Sequence, residues 1–62
     1  MIPTKNYKLI GFIKQTATQN WTKIPDGTIL SIPTVTENII EFAQSVLKTK
    51  FLFFMFYLEE VE

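Results

Sequence analysis

The 62-residue chain contains no cysteine, no histidine and no arginine. Without cysteine it forms no disulfide, and without cysteine or histidine it lacks the usual ligands of a structural zinc site. Chains of this size bury only about 60% of their unfolded surface, and those without disulfides or metals often depend on oligomerisation. We therefore expect a single domain over residues 1–62 that holds no cofactor and is stabilised by a second copy of itself or by another protein.

The chain also has no excess of positive or negative charge, since six lysines balance six acidic residues. The lysines are scattered and no arginine is present to bind phosphate, so we do not expect nucleic-acid binding. The longest apolar run covers residues 51–58, far short of the about 20 residues that span a bilayer. Residues 1–5 contain no apolar signal-peptide core. We therefore predict a soluble, cytoplasmic protein without a membrane partner.

A first strand is predicted at residues 7–14, which are rich in β-branched and aromatic side chains. Because side chains alternate along a strand, one face carries Tyr7, Leu9, Gly11 and Ile13, and the other carries Lys8, Ile10, Phe12 and Lys14. A glycine inside a strand indicates a bulge or the close approach of another backbone, and Gly11 has that position.

A β-hairpin is predicted next, with strands at residues 20–24 and 28–32 on either side of Pro25-Asp26-Gly27. Proline favours the first corner of a type I turn, and glycine supplies the left-handed residue that follows it. The alternative is a binding or metal loop, but one carboxylate provides too few ligands for calcium. The sequence therefore favours a structural turn.

A helix is predicted to begin at Thr34, because Thr34 and Glu37 have the spacing of a capping box. The apolar positions that follow are three and four residues apart, as in a helix with one side facing a core: Val35, Ile39, Ile40, Phe42, Ala43, Val46 and Leu47. The segment Lys48-Thr49-Lys50 suits the negative end of the helix dipole, so we expect the helix to end there.

Residues 51–58 form eight consecutive apolar positions, four of them phenylalanine, and predict a last strand buried on both faces. The alternative is a helix, which would be apolar all round and would need a membrane or a large core. The predicted order is β-β-β-α-β, an α+β fold with one helix packed on one face of a small sheet. A helix between two strands of one sheet implies that those strands are parallel, and the hairpin is antiparallel, so we expect a mixed sheet.

The last strand carries the functional prediction, because one helix covers only one of its two apolar faces. One set of side chains is Phe51, Phe53, Met55 and Tyr57, and the other is Leu52, Phe54, Phe56 and Leu58. Burying four such side chains is worth ~6–12 kcal/mol as an upper bound, comparable with the stability of a whole domain. We therefore predict an interface within Phe51, Leu52, Phe53, Phe54, Met55, Phe56, Tyr57 and Leu58. Alternatively, Ile2, Trp21 and the loop at residues 15–19 fold over the open face.

Catalysis is not expected, because the chain lacks the histidine that most often transfers protons near neutral pH. Glu37 and Glu41 could form a carboxylate pair one helical turn apart, but a capping residue beside a solvated helix face is the simpler interpretation. Ser31 and Ser45 have no histidine to serve as a base, and two glycines are too few for a phosphate-binding loop. We therefore predict a non-enzymatic protein.

Two segments resemble the small CpcD-type linker domain of phycobilisomes. Tyr7-Lys8-Leu9-Ile10-Gly11-Phe12 is similar to its first strand, and Thr28-Ile29-Leu30-Ser31-Ile32-Pro33 to its second, which ends in the same proline before a helix. That family normally has a basic surface and a Gly-Gly before its last strand, where this chain has Lys48-Thr49-Lys50 and no net charge. The resemblance implies a linker subunit of a larger assembly, and these departures keep us from assigning the chain to the family.

The function that these features favour is a protein–protein interaction module, expected to be a homodimer that also binds another protein. Small, neutral chains of this kind are similar to phage or mobile-element inhibitors and adaptors of the anti-defence type, which is an analogy. One alternative is a binder of small ligands or nucleotides, with a pocket at the dimer seam lined by phenylalanines and Tyr57 and charged by Lys8 or Lys14. The other alternative is the linker subunit.

Overall fold

The structure is a computed structural model that describes residues 2–61. Its elements follow the order β-β-β-α-β: β1 (Thr4–Lys14), β2 (Thr22–Lys23), β3 (Ile29–Pro33), α1 (Ile39–Lys48) and β4 (Phe53–Glu60). The predicted α+β class and the predicted order of elements are confirmed. No helix within residues 2–61 combines the length and the hydrophobicity that crossing a bilayer requires.

β1 is the central strand of the sheet. Along one edge it pairs with β4, from Tyr7 opposite Glu60 to Lys14 opposite Phe53. Along the other edge it pairs first with β3 and then with β2. Every one of these pairs is antiparallel, so the expected mixed sheet is corrected to an antiparallel one. β3 and β4 do run in the same direction, as a crossover through α1 requires, but β1 lies between them and no parallel hydrogen bonds form.

The predicted hairpin is wrong in its pairing, although its turn is present. Gly27 has a φ of 82°, and the Thr28 amide donates to the Pro25 carbonyl at 3.2 Å. The chain does not reverse there, because β2 and β3 both continue along the same edge of β1. Between the pair Phe12–Lys23 and the pair Lys8–Ile29, β1 advances by four residues and the other segment by six. The Pro-Asp-Gly turn therefore holds two extra residues outside the ladder.

The helix begins four residues later than the sequence predicts. Its N-cap is Asn38, whose side-chain oxygen accepts from the Glu41 amide at 3.1 Å. Asn38 and Glu41 repeat the spacing of Thr34 and Glu37, so two candidate caps follow each other in the sequence. The Thr34 amide donates to the Pro3 carbonyl at 3.0 Å and extends the ladder between β1 and β3, and both Thr34 and Glu37 precede the helix. The predicted end at Lys48 is confirmed.

The core lies between the helix and one face of the sheet. The buried apolar side chains among the described residues are Leu9, Ile24, Ile32, Ala43 and Leu47. Partly buried side chains surround them: Ile13, Phe51, Phe54, Phe56 and Leu58. Five buried side chains make a small core, as expected of a chain of this length.

Gly11 confirms the predicted close approach of two backbones. Its φ is 153°, and a Cβ at this position would collide with the Met55 carbonyl oxygen and lie 2.7 Å from the Phe56 Cα. Glycine is the residue that allows β1 and β4 to pair without interruption at this point.

Candidate protein interface

The two faces of β4 have different surroundings. Phe54, Phe56 and Leu58 lie on the side of the helix, where they pack against the core. Their cross-strand partners on β1 are Ile13, Gly11 and Leu9, which the sequence analysis assigned to one face of that strand. The Phe54 and Phe56 rings are 5.9 Å apart between centroids. These three members of the predicted interface set are thus taken up by the fold of the chain itself.

The other face of β4 is open to solvent. Phe53, Met55 and Tyr57 are 43%, 55% and 57% exposed. Their partners across the ladder are Lys14, Phe12 and Ile10, so two adjacent strands carry apolar side chains on this face. Large side chains that are half exposed in neighbouring positions form a continuous apolar patch. Of the two alternating sets, this is the one that the helix leaves uncovered.

Phe51 and Leu52 depart from the predicted alternation because β4 begins only at Phe53. The Phe51 amide donates to the Leu47 carbonyl at 2.9 Å, which keeps Phe51 attached to the end of the helix and packed against the core. Leu52 is exposed in the bend that leads into the strand.

Side chains from the other strands widen the open patch. Ile29 on β3 is exposed and lies opposite Lys8, and Trp21 lies just before β2. The Lys14 ammonium is 4.8 Å from the centroid of the Trp21 ring and 6.0 Å from that of Phe53, within reach of a cation–π interaction. Trp21 therefore borders the patch instead of covering it. Ile2 is exposed as well, so the alternative in which these residues close the open face is not observed. We name this open face the apolar sheet face: Ile10, Phe12, Trp21, Ile29, Phe53, Met55 and Tyr57.

Charged side chains lie at the two ends of the apolar sheet face. At one end Lys8 and Glu59 are directly opposite each other across the ladder. At the other end are Lys14 and Lys23, the latter 3.1 Å from Asp26. An apolar centre with a charged rim is the usual anatomy of a protein–protein interface.

A separate ion pair joins the start of β1 to the end of β4 on the helix side of the sheet. The Lys5 ammonium donates to the Glu60 carboxylate at 2.7 Å. This hydrogen bond, together with the attraction between the two charges, raises the pKa of Lys5 above its ordinary value. Both side chains are about half exposed, so solvent screens the pair strongly.

The carboxylates do not gather into a catalytic arrangement. Glu41 belongs to the first turn of the helix and its amide is capped by Asn38, whereas Glu37 precedes the helix. Both line a shallow depression that is open to solvent. Among residues 2–61, no three acidic side chains come close enough together to hold a metal ion.

The structure has a pocket on the helix side of the sheet that the sequence did not predict. It has a volume of about 260 Å³ and lies between the end of α1 and the edge that carries β2 and β3. Its walls are apolar apart from Thr28 and the exposed Lys50. Pro25 of the Pro-Asp-Gly turn and Thr28 after it are among the residues that line the pocket, and the sequence pattern gave no sign of this arrangement.

A comparison of this chain with known proteins finds no matching family model, no matching curated protein and no matching solved structure. The functional proposal is therefore drawn from the surface itself.

Proposed function

We propose that this chain is a non-enzymatic protein–protein interaction module that forms a homodimer. It binds another protein through the apolar sheet face and acts as an inhibitor or adaptor. The observation that carries the proposal is that this face displays Phe53, Met55 and Tyr57 on one strand and Phe12 on the next, all about half exposed. Aromatic residues and methionine are enriched at the centres of protein interfaces, and charged residues at their rims.

The homodimer is supported by the small core. Only five described side chains are buried, and the chain has neither disulfide nor metal ligands to compensate. Small domains with such cores commonly gain stability from association. The neutral charge and the short chain are similar to those of phage inhibitors and adaptors, and we extend the proposal to an anti-defence role by that analogy.

The target-binding surface is tested by site-specific photo-crosslinking in the native host. A photoreactive phenylalanine analogue at Tyr57 reports on the apolar sheet face, and the same analogue at Gln44 reports on the exposed side of the helix. We expect one other protein to be crosslinked from position 57 at a level at least tenfold above that from position 44. Phe12→Lys in the Tyr57-labelled chain is expected to abolish that product. Equal crosslinking from both positions, or none from position 57, contradicts the proposal.

A second candidate function is supported by the helix-side pocket. Its volume of about 260 Å³ and its apolar walls suit a small apolar ligand, with Lys50 at the rim able to bind a negatively charged group. Tyr57 does not line this pocket and lies on the opposite face of the sheet from Leu9, which does, so this is not the seam pocket expected from the sequence. A thermal-shift series with fatty acids and nucleotides tests it. A rise in Tm that depends on ligand concentration and is lost in Val46→Trp, which fills the pocket, favours ligand binding.

A further inference from the structure

The outer edge of β4 is a row of unpaired backbone groups. The Val61 amide donates to the Asn6 carbonyl at 3.0 Å, so the odd-numbered residues of β4 direct their N–H and C=O groups towards β1. The even-numbered residues Phe54, Phe56 and Leu58 therefore direct theirs away from the sheet. Over residues 2–61, β4 pairs with no strand other than β1.

This edge also lacks the features with which proteins protect exposed strand edges. Residues 53–58 contain no charge, no proline and no glycine. The opposite edge of the sheet has all three, because Lys23 lies on β2, the Pro-Asp-Gly turn interrupts the ladder, and Pro33 ends β3. Charges, prolines and interruptions are the usual means of preventing a strand from pairing with another chain. Only one of the two edges is thus suited to accept a strand.

We infer that β4 pairs antiparallel with β4 of a second copy, around a two-fold axis that passes through Met55. The inference specifies the homodimer in the proposed function and rests on it for the presence of a second copy. In this register Phe54 of each copy exchanges backbone hydrogen bonds with Phe56 of the other, which uses the outward groups of both. Phe53 then lies opposite Tyr57 of the other copy on the apolar sheet face, an aromatic cross-strand pair.

The charges that follow the apolar part of β4 favour this register. With Met55 on the axis, residues 53–57 of the two copies pair with one another, and Glu59 and Glu60 lie beyond the paired segment. Centring the pairing on Tyr57 would instead place the Glu60 carboxylate opposite Phe54. A carboxylate beside an apolar ring gains nothing from the pairing. A register centred on Met55 therefore pairs only apolar and aromatic residues with one another.

The area of the apolar sheet face also favours this arrangement. About six large side chains, each roughly half exposed, offer roughly 500–600 Å² per copy. A standard interface needs about 800 Å² from each partner. A two-fold axis perpendicular to the sheet leaves both apolar faces on the same side, with both helices on the other. The joined sheet therefore presents roughly 1,000 Å² or more, enough for a standard interface with a target.

A single-cysteine crosslink tests the register, since the native chain has no cysteine. Met55→Cys places two thiols on the axis in a non-hydrogen-bonded pair with Cα atoms about 4.5 Å apart, which suits a disulfide. We expect mild oxidation to convert most of this variant to a covalent dimer. The control is Ile29→Cys, which is exposed on β3 of the same face and is expected to remain monomeric under the same oxidation. Mixing Phe53→Cys with Tyr57→Cys is expected to give mainly the mixed disulfide. Crosslinking at position 29 as readily as at 55 overturns edge pairing in favour of packing face to face.

Amide hydrogen exchange of the unmodified chain gives a second measurement. We expect exchange at Phe54 and Phe56 to slow at least tenfold as protein concentration rises through the dimerisation range. Ile29 and Ser31 are matched controls, because their amides point outward on the opposite edge, and their exchange should not change. Fast exchange at residues 54 and 56 in a sample that light scattering shows to be dimeric overturns the inference alone. If light scattering shows a monomer at all concentrations, both the inference and the proposed homodimer are wrong. If the edge is protected from exchange but no target is crosslinked from position 57, only the target-binding proposal is wrong.

Discussion

Gly11 is the residue at which the sheet tolerates a side chain least. Its φ of 153° lies outside the range that residues with a Cβ usually adopt, and a Cβ would collide with the backbone of β4. Neither the Met55 carbonyl nor the Phe56 Cα can rotate away as a side chain could. Any substitution here must therefore move β1 and β4 apart at the centre of their ladder.

We predict that Gly11→Ala lowers the free energy of unfolding by about 2–4 kcal/mol, since it adds a steric collision to a strained φ. Gly27→Ala is the control, because Gly27 has a positive φ of 82° but no atom within 4 Å of the place that a Cβ would occupy. That control should cost about 1–2 kcal/mol, from backbone strain alone. Urea denaturation of the two variants measures the difference, and equal losses would contradict the close approach.

Asn38 is the second residue at which local geometry can be tested. We predict that Asn38→Ala costs about 0.5–2 kcal/mol, because the Glu41 amide loses its acceptor. Thr34→Ala should cost less than about 0.5 kcal/mol, since the Thr34 hydroxyl makes only a 3.4 Å contact with the Pro3 carbonyl. Chemical denaturation checks both, and a larger loss for Thr34→Ala would mean that the helix begins at the earlier cap.

At the scale of elements, β4 is one strand with two different roles. Its helix-side residues complete the core, and its open-side residues remain exposed because the chain has a single helix within residues 2–61. The helix covers one face through Ala43 and Leu47, both buried. Alternation along the strand thus separates the side chains that pack in the core from those that remain exposed, residue by residue.

We predict that Phe56→Ala costs about 2–4 kcal/mol, because it removes a partly buried ring from the core. Tyr57→Ala, at the next position on the open face, should cost less than about 1 kcal/mol in the monomer. Denaturation at low protein concentration separates the two effects from dimerisation. The same Tyr57→Ala change should weaken target crosslinking, and a cost equal to that of Phe56→Ala would mean that the faces are assigned the wrong way round.

At the scale of the whole molecule, the sheet has one protected edge and one unprotected edge. The protected edge carries two short strands and the Pro-Asp-Gly turn, and the unprotected edge is an uninterrupted strand of eight residues. A second copy paired at β4 would leave only protected edges on the outside of the assembly. This arrangement would also explain why so apolar a strand lies at an edge.

We predict that Met55→Lys weakens dimerisation roughly 3- to 30-fold, since it places two like charges opposite each other on the two-fold axis. Ile29→Lys, which makes the same change at an exposed position of β3 on the same face, serves as the control and should have a smaller effect. Sedimentation equilibrium measures both dissociation constants. Raising the salt concentration should reduce the difference between the variants, because it screens exposed charges.

Much of the fold could be predicted because it depends on local chemistry. Alternation along β1, the end of α1 and the glycine at position 11 were correctly interpreted from neighbouring residues. The apolar run was correctly interpreted as a strand, but that strand begins at Phe53 instead of Phe51, and only one of its faces is packed instead of both. The prediction that one face of β4 lacks cover also followed from counting one helix against two apolar faces. These features are set by side-chain periodicity, which a sequence displays directly.

What only the tertiary structure decided is where each segment finds its partner. The Pro-Asp-Gly turn has the chemistry of a hairpin, yet β2 and β3 pair with β1, because hydrogen bonds to an available edge do not depend on the turn alone. Of two equally spaced candidate caps, Thr34 continues the pairing of β3 with β1, and Asn38 caps the helix. The choice of Phe53, Met55 and Tyr57 as the open set follows from which side of β1 the helix crosses, a matter of long-range packing. Local sequence therefore determined the elements and their apolar faces, and competition among distant backbone groups determined which face and which edge remain free.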